Sequence, residues 1–363
     1  MKILLICSNS SVVVIFRKNL IKRLQELGHE VCALVFDSQY EEEIKKLGVE
    51  FYCCNDANRS LNPFKVLTLS SRYSKIIKKI NPDLVFTFML KPNIYGVQGA
   101  KKAGVDNIYS MVEGTGDVFI NDSLKWKLIR KVVCMGYKKA FKSSKKVFFL
   151  NNDDKAEFLN RKLVKEEQCE IVHGIGVDLE HFEYQDVENT NTFLMIARLL
   201  KTKGVYEYCE AAKIVKEKYP NAIFNLVGPE GTIKVEDIKC YTEGGIINYL
   251  GETNDVRPFI KNASVYVLPS YREGFSVSIM EAQAMGRAVI TCDTNGTRDA
   301  VRDGEDGFLV PVKDSKSLAD KMLYFLENPD KIHEMGTKAR NYAELHLNHK
   351  IINDNICEII GAK

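Results

Sequence analysis

Short apolar runs alternate with helix-patterned stretches along this chain, and the alternation is traversed twice. Strands are predicted at 2–7, 30–36, 49–53, 84–89, 107–111, 146–150 and 170–172. Helices fit between them at 13–27, 41–47, 63–80, 94–103, 123–141 and 153–161. Strands separated by helices cannot pair through tight hairpins; they need crossovers, so they run parallel with helices covering both faces. The stretch 178–192 is charged, has little pattern, and reads as a linker. Strands then resume at 193–197, 222–227, 246–250, 264–268, 288–292 and 308–310, with helices at 205–218, 255–262, 276–285, 297–301 and 315–326. After Asn328-Pro329-Asp330 the chain reads as helical to its end. The expected fold class is α/β, with two Rossmann-like, doubly wound parallel-sheet domains. The 363 residues are enough for two such cores.

Composition excludes several classes. A hydrophobic content of 45% with 27% charged residues is that of a globular protein. No apolar run approaches the ~20 residues needed to span a bilayer. The N-terminal run 2–7 ends in polar residues without a cleavage-like site and reads as a first buried strand. The ten Cys show no C-x-x-C pair, and Cys7, Cys32 and Cys292 sit in apolar runs, a usage suited to reduced thiols. The net charge of +3 is unevenly spread: +7 up to Gln185 and −4 beyond it. The positive excess peaks between Lys125 and Lys146, where Lys125, Lys127, Arg130, Lys131, Lys138 and Lys139 interleave with Trp126, Leu128, Ile129, Val132 and Val133. The pattern is an amphipathic helix with a cationic side, suited either to an anionic membrane surface or to an outer helix packed on its own sheet. No nucleic-acid motif accompanies it.

The densest chemistry lies in Pro269-Ser270-Tyr271-Arg272-Glu273-Gly274-Phe275-Ser276-Val277-Ser278-Ile279-Met280-Glu281. A buried strand leads into a Glu-Gly loop and a helix start, with seven residues between Glu273 and Glu281. Strand carboxyl ends are where α/β sheets bind ligands, and a helix start offers N–H groups to an anion. Arg198 and Lys203 follow the first strand of the second half, spaced so that both reach one phosphate group. Val227-Gly228-Pro229-Glu230-Gly231 and Tyr249-Leu250-Gly251 are further strand-end loops. In the first half, Glu113-Gly114-Thr115-Gly116 puts an acid at a strand end before a Gly-x-Gly turn. No Gly-x-Gly-x-x-Gly follows the first strand, which argues against a nicotinamide enzyme. No Asp-x-Asp occurs, and His346 and His349 lack partners for a metal site, so they read as surface histidines. Asn152-Asp153-Asp154 reads as a helix cap rather than a metal ligand.

The block 268–282, with Ala284-Met285-Gly286-Arg287-Ala288-Val289-Ile290 and Asp303-Gly304-Glu305-Asp306-Gly307-Phe308 after it, resembles the E-x7-E signature of family 4 of the retaining glycosyltransferases, of GT-B fold. The resemblance covers nearly the whole chain and is sharpest from 191 to 312. It implies an acceptor-side domain at 1–184, with the terminal segment 348–363 packing back on it. It implies a nucleotide-sugar domain at 185–347, with the ligand cleft between the two. By resemblance, Arg198 and Lys203 neutralise the departing diphosphate and Glu281 accepts the ribose hydroxyls. Glu273 meets the donor sugar, helped by Gly274, Phe275, Ser276 and Val277, while Gly228 and Leu250 lie near the phosphates and base. Many members carry His where this chain has Glu113, so three roles stay open for Glu113: binding a sugar hydroxyl, orienting the acceptor, or acting as a base. A turn-capping carboxylate is the structural alternative. Ser60-Leu61-Asn62-Pro63 and Leu90-Lys91-Pro92-Asn93 resemble the subgroup that builds lipid-linked oligosaccharides and surface polysaccharides such as O-antigen or capsule. Some of its members add α1,3-linked N-acetylgalactosamine to an undecaprenyl-diphosphate sugar.

The resemblance therefore implies a UDP-sugar donor, a lipid-linked acceptor, no metal or other cofactor, no nucleic acid, and a cytoplasmic enzyme peripheral on the inner leaflet. Rival readings are a GT-B-fold UDP-N-acetylglucosamine epimerase and a non-catalytic nucleotide-sugar-binding subunit.

Overall fold

The structure, a computed structural model, describes residues 1–54, 63–120, 123–188 and 190–363. The chain divides into two units, Met1–Val172 with Lys350–Lys363, and His173–His349. The Ser60-Leu61-Asn62 part of the first subgroup motif lies outside the described residues.

The first unit holds seven strands: β1 (Lys2–Ile6), β2 (Glu30–Val35), β3 (Glu50–Cys53), β4 (Leu84–Phe88), β5 (Ile108–Val112), β6 (Lys146–Phe149) and β7 (Cys169–Ile171). They are ordered β3-β2-β1-β4-β5-β6-β7, and every pair is parallel. Leu4 lies opposite Cys32 on one side and Val85 on the other. The strands read as continuous apolar runs because helices cover both faces. Leu4, Ile6, Val85, Tyr73, Phe141 and Phe149 pack in one buried cluster, each large apolar side chain contributing ~1.5–3 kcal/mol by leaving water. The order reverses between β1 and β4, which sets the crevice at their carboxyl ends.

The second unit repeats the plan with β8 (Thr192–Ile196), β9 (Ile223–Val227), β10 (Asn248–Tyr249), β11 (Val265–Leu268), β12 (Ala288–Cys292) and β13 (Gly307–Val310). The order β10-β9-β8-β11-β12-β13 is again wholly parallel, and it reverses between β8 and β11.

Most expected elements are present, and the departures have local causes. The helix expected at 13–27 is two, Ser10–Phe16 and Lys18–Glu26, broken at Arg17, whose guanidinium is buried. The helix expected at 94–103 begins with a wide π-turn, Pro92–Gly96, before Val97–Ala103. The strand expected at 246–250 shrinks to the two residues of β10. Instead of a helix at 297–301 there are turns, with the Thr297 hydroxyl donating to the carbonyls of Cys292 and Thr294. Asn151, not Asn152-Asp153-Asp154, caps the next helix, its side chain accepting from Asp154 N at 2.7 Å.

The stretch read as a linker is bonded into the second unit, so the division falls after Val172 rather than after 184. Val177 N donates to the Leu347 carbonyl and Gln185 N to that of Met285. Arg287 secures the same stretch from inside. It is fully buried, and its guanidinium donates to the carbonyls of Gln185, Met285, Ile260 and Lys261. Residues 350–363 belong to the first unit, where Asp354 meets Arg23 and the Ala362 carbonyl meets His29. All ten cysteines are free thiols.

Candidate active site

In the second unit the sequence candidates gather on the loops after β8, β9, β10 and β11, the edge where the strand order reverses. Lys203 Nζ contacts Glu273 Oε1 at 2.5 Å. Two glycines bring their loops together. Gly204 has φ +78°, and a Cβ there would stand 2.1 Å from the Pro269 carbonyl oxygen. Gly296, φ +74°, supports the Glu273 loop so closely that a Cβ would lie 2.3 Å from the Glu273 carbonyl oxygen. Backbone bonds hold the register: Tyr271 N to Thr202 O at 2.8 Å, and Glu273 N to Asn295 O at 3.0 Å. The Tyr271 hydroxyl donates to Glu207 at 2.6 Å, anchoring the loop to the helix after Lys203.

Arg198 is exposed. Its neighbour Leu199 donates to the Pro229 carbonyl, so the Gly228 loop lies directly beside it. Gly228 N donates to Gly251 O, and the Tyr249 hydroxyl donates to Gly228 O, which brings Leu250, an exposed side chain, to the same edge. Gly274, Phe275, Ser276 and Val277 lead from the loop into the helix Val277–Ala284. There the Ser276 side chain caps Ile279 N, and Phe275 is buried beside the His173 ring.

Glu281 is half-buried on this helix, and its carboxyl makes no hydrogen bond or ion pair among the described residues. Burial pushes its carboxyl up to about 8. The buried Tyr266 phenol, which donates to the Ile196 carbonyl at 3.1 Å, is raised above its ordinary pKa first by burial and then by the charges of Glu281 and Glu273. Both carboxylates therefore act on one point at the end of β8. A half-buried carboxyl without a partner can accept a pair of hydroxyls, and exposed Arg198 beside Lys203 offers positive charge to an anion.

The first unit has a different arrangement. Glu113, at the end of β5, forms an ion pair with Arg17. The Arg17 guanidinium is buried, lies 4.3 Å over the Phe88 ring, and is lowered to about 10 by burial. Its Nε has no partner among the described residues. Glu113 is half-buried and borders the Gly114-Thr115-Gly116 turn. The subgroup motif 90–93 supports this corner: buried Asn93 accepts from Thr87 and donates to the Met111 carbonyl, two residues before Glu113. Arg17 was not anticipated from the sequence, although a signal was present. It stands three and four residues before Leu20 and Ile21, a cation on the buried face of an amphipathic pattern.

A group of possible metal ligands, Glu30, Cys32 and Glu50, lies elsewhere, at the opposite end of β1. Lys2 already occupies its centre, 3.0 Å from Glu30 and 3.3 Å from Glu50. His346 is exposed with its ring tilted against that of Tyr342, and His349 contacts the Val177 carbonyl.

Comparison with known proteins bears on both units. The family described as "Glycosyl transferase 4-like" matches residues 2–151, and "Glycosyl transferases group 1" matches 177–342. The chain is 32% identical, over 86% of each sequence, to the N,N'-diacetylbacillosaminyl-diphospho-undecaprenol alpha-1,3-N-acetylgalactosaminyltransferase of Campylobacter jejuni. It is 28% identical to the UDP-Gal:alpha-D-GlcNAc-diphosphoundecaprenol alpha-1,3-galactosyltransferase of Escherichia coli, over 77% of this chain and 73% of that one. Among solved structures, a glycosyltransferase from Rickettsia africae superimposes with a TM-score of 0.79 at 20% identity, covering 99% of this chain and 97% of its own. These matches do not favour the epimerase or the non-catalytic subunit. The chain thus belongs to the group 1, family 4-like glycosyltransferases and is a transferase of the GT-B fold.

Proposed function

We propose that this enzyme is a retaining transferase that moves a hexose or N-acetylhexosamine, N-acetylgalactosamine in the specific form of the proposal, from a UDP-sugar to an undecaprenyl-diphosphate-linked saccharide during surface glycan assembly. The observation that carries it is the convergence after β8 and β11 of the Lys203–Glu273 pair, exposed Arg198 and unpaired, half-buried Glu281. The printed activities of the Campylobacter and Escherichia relatives support the donor and acceptor classes.

Each group has one task. Arg198 and Lys203 take the charge that develops on the departing diphosphate, which is the main electrostatic demand of the step. The proposal needs no metal, because these two cations fill that role. Glu273 turns from Lys203 toward a hydroxyl of the donor sugar. Glu281 accepts the ribose hydroxyls, with Gly228 and Leu250 beside the phosphates and base. As the bond from the anomeric carbon to the phosphate oxygen breaks, the acceptor hydroxyl attacks from the same face. The leaving phosphate oxygen takes its proton. Glu113 takes an orienting role rather than that of a base, because its ion pair with Arg17 holds the carboxylate in place. The enzyme works at the cytoplasmic face of the membrane as a peripheral protein. No helix among the described residues is long and apolar enough to cross a bilayer.

Thermal shifts with UDP, GDP, UMP and NAD test the donor class, since a ligand that binds only the folded state raises its stability. Selective stabilisation by UDP, lost in Glu281→Ala, is expected. Equal responses of wild type and variant would remove Glu281 from the site, and a preference for GDP would redirect the donor.

A further inference from the structure

The helix Leu124–Phe141 has two apolar faces. One packs inward through Tyr137, Ala140 and Phe141. The other looks into solvent: Leu124, Leu128, Val132 and Met135 are 86%, 65%, 55% and 57% exposed. Their spacing of four, four and three residues sets them on one strip of the helix. An outer helix that merely packs on its own sheet has no reason to carry that strip, because large contiguous apolar surface on a monomer marks an interaction site.

The helix itself carries charge of one sign only. No Asp or Glu occurs between Asp122 and Asp153. Lys127, Lys131 and Lys138 meet no carboxylate among the described residues. With Arg130, Arg161, Leu163 and Met135, where the strip meets it, they line a hollow of about 570 Å³ against the flank of the helix. Arg161 is held in place by Glu157 at 2.6 Å, and Arg130 by the Val118 carbonyl at 2.8 Å, so both guanidinium groups are fixed before any ligand arrives. A second hollow of about 590 Å³ continues past Lys138 to Lys142, Lys162 and Lys165, with Glu167 on the same wall beside Lys165. A soluble protein partner offering carboxylates would answer the charge but not the strip. An apolar protein partner would answer the strip but not the charge. An anionic bilayer answers both, with acyl chains for the strip and phosphates one headgroup layer above them.

We infer that the hollow lined by Lys127, Arg130, Lys131, Lys138 and Arg161 binds the phosphate headgroup of an anionic phospholipid while Leu124, Leu128, Val132 and Met135 enter the acyl boundary. The inference rests on the membrane-docked reading above and adds to it a defined headgroup site and a defined inserting edge. Guanidinium and ammonium groups gathered round one concavity hold a phosphate by charge-assisted hydrogen bonds, in contrast to a diffuse layer of surface charge.

The chain carries its own reporter, because its single tryptophan, Trp126, lies on this helix. The full chain is titrated with vesicles of phosphatidylcholine alone and with phosphatidylglycerol added, following Trp126 emission and co-sedimentation. A blue shift and binding only with phosphatidylglycerol are expected. Lys131→Gln with Lys138→Gln, inside the hollow, should weaken binding at least ten-fold. Lys125→Gln with Lys139→Gln removes the same charge outside it and should weaken binding clearly less than the first pair, by a few-fold. Leu128→Ser with Val132→Ser should abolish the blue shift. Each variant is checked for an unchanged melting temperature and UDP response. Equal losses for the two lysine pairs would overturn the headgroup site and leave membrane docking intact. Failure of the wild type to bind either vesicle would overturn the docking reading and the site with it.

Discussion

Each unit pairs an acid from a strand-end loop with a cation, yet the two pairs are built for different work. Arg17 and Glu113 in the first unit have side chains 3% and 19% exposed, whereas Lys203 and Glu273 in the second are 28% and 12% exposed. The Arg17 guanidinium lies over the Phe88 ring and is almost wholly buried, so its charge is tolerable only while Glu113 balances it. Breaking such a buried pair leaves an uncompensated ion. Lys203 is partly hydrated, and a pair of that kind is worth only ~0–1 kcal/mol, so a diphosphate can take the lysine from Glu273 at little cost. The first pair fixes a carboxylate; the second can be exchanged for substrate.

The sharpest way to break this comparison is Arg17→Met, which should cost ~3–5 kcal/mol of stability, read as a large fall in unfolding midpoint. Arg17→Met with Glu113→Gln should recover most of it, because no buried charge is then left unpaired. Additive losses in the double variant would make the pair incidental.

Lys203→Ala should lower kcat by ~10²–10³, the loss typical of removing one group that stabilises transition-state charge, while stability changes by less than ~1 kcal/mol. A stability loss like that of Arg17→Met would erase the distinction between the units.

A third prediction concerns Glu281, whose carboxyl is raised by burial to about 8 from an ordinary 4.5. The folded chain keeps this proton where the unfolded chain has released it. Its contribution to stability is therefore full below the ordinary carboxylate range and is lost as pH rises through about 8. Melting curves between pH 5 and pH 9 should show Glu281→Gln gaining on the wild type as pH rises, with UDP affinity about ten-fold weaker than wild type if one charge-assisted contact is lost. Parallel curves would mean that Glu281 is solvated in the unliganded protein.

The smallest expected effect is that of Arg198→Lys. Charge survives but planar, bidentate contact with phosphate does not. A several-fold rise in KM for the donor, with unchanged stability, is expected from steady-state kinetics. A loss as large as that of Lys203→Ala would move the principal catalytic charge from Lys203 to Arg198.

Much of this was legible in the amino-acid order. Helix Pro63–Ile80 and helix Val205–Lys218 fall where the pattern puts them, because a strong 3.6-residue apolar period needs no tertiary information. Strand ends and spacing single out Arg198, Lys203, Glu273 and Glu281 as candidates, and the structure puts them on the loops and helix that follow β8 and β11. Arg17 was harder to find, since a sequence does not say which charged residue on an apolar face has a partner waiting 96 positions later. Arg287 poses the same difficulty: nothing in its local sequence shows that this cation is buried against four carbonyls contributed by three separate segments.

What the sequence by itself determined is the repeated strand–helix order and, through it, two parallel sheets with loops of known chemistry at their carboxyl ends. Local pattern suffices for that, because parallel strands must be joined by crossovers and crossovers have a fixed hand. What only the tertiary structure decided is pairing. It joins Lys203 to Glu273, seals Arg17 against Glu113, leaves Glu281 without a partner, and turns one apolar strip of the helix Leu124–Phe141 outward. These depend on which distant groups meet and on how much water remains around them, and burial and Coulomb energy are properties of the folded surroundings rather than of any residue alone.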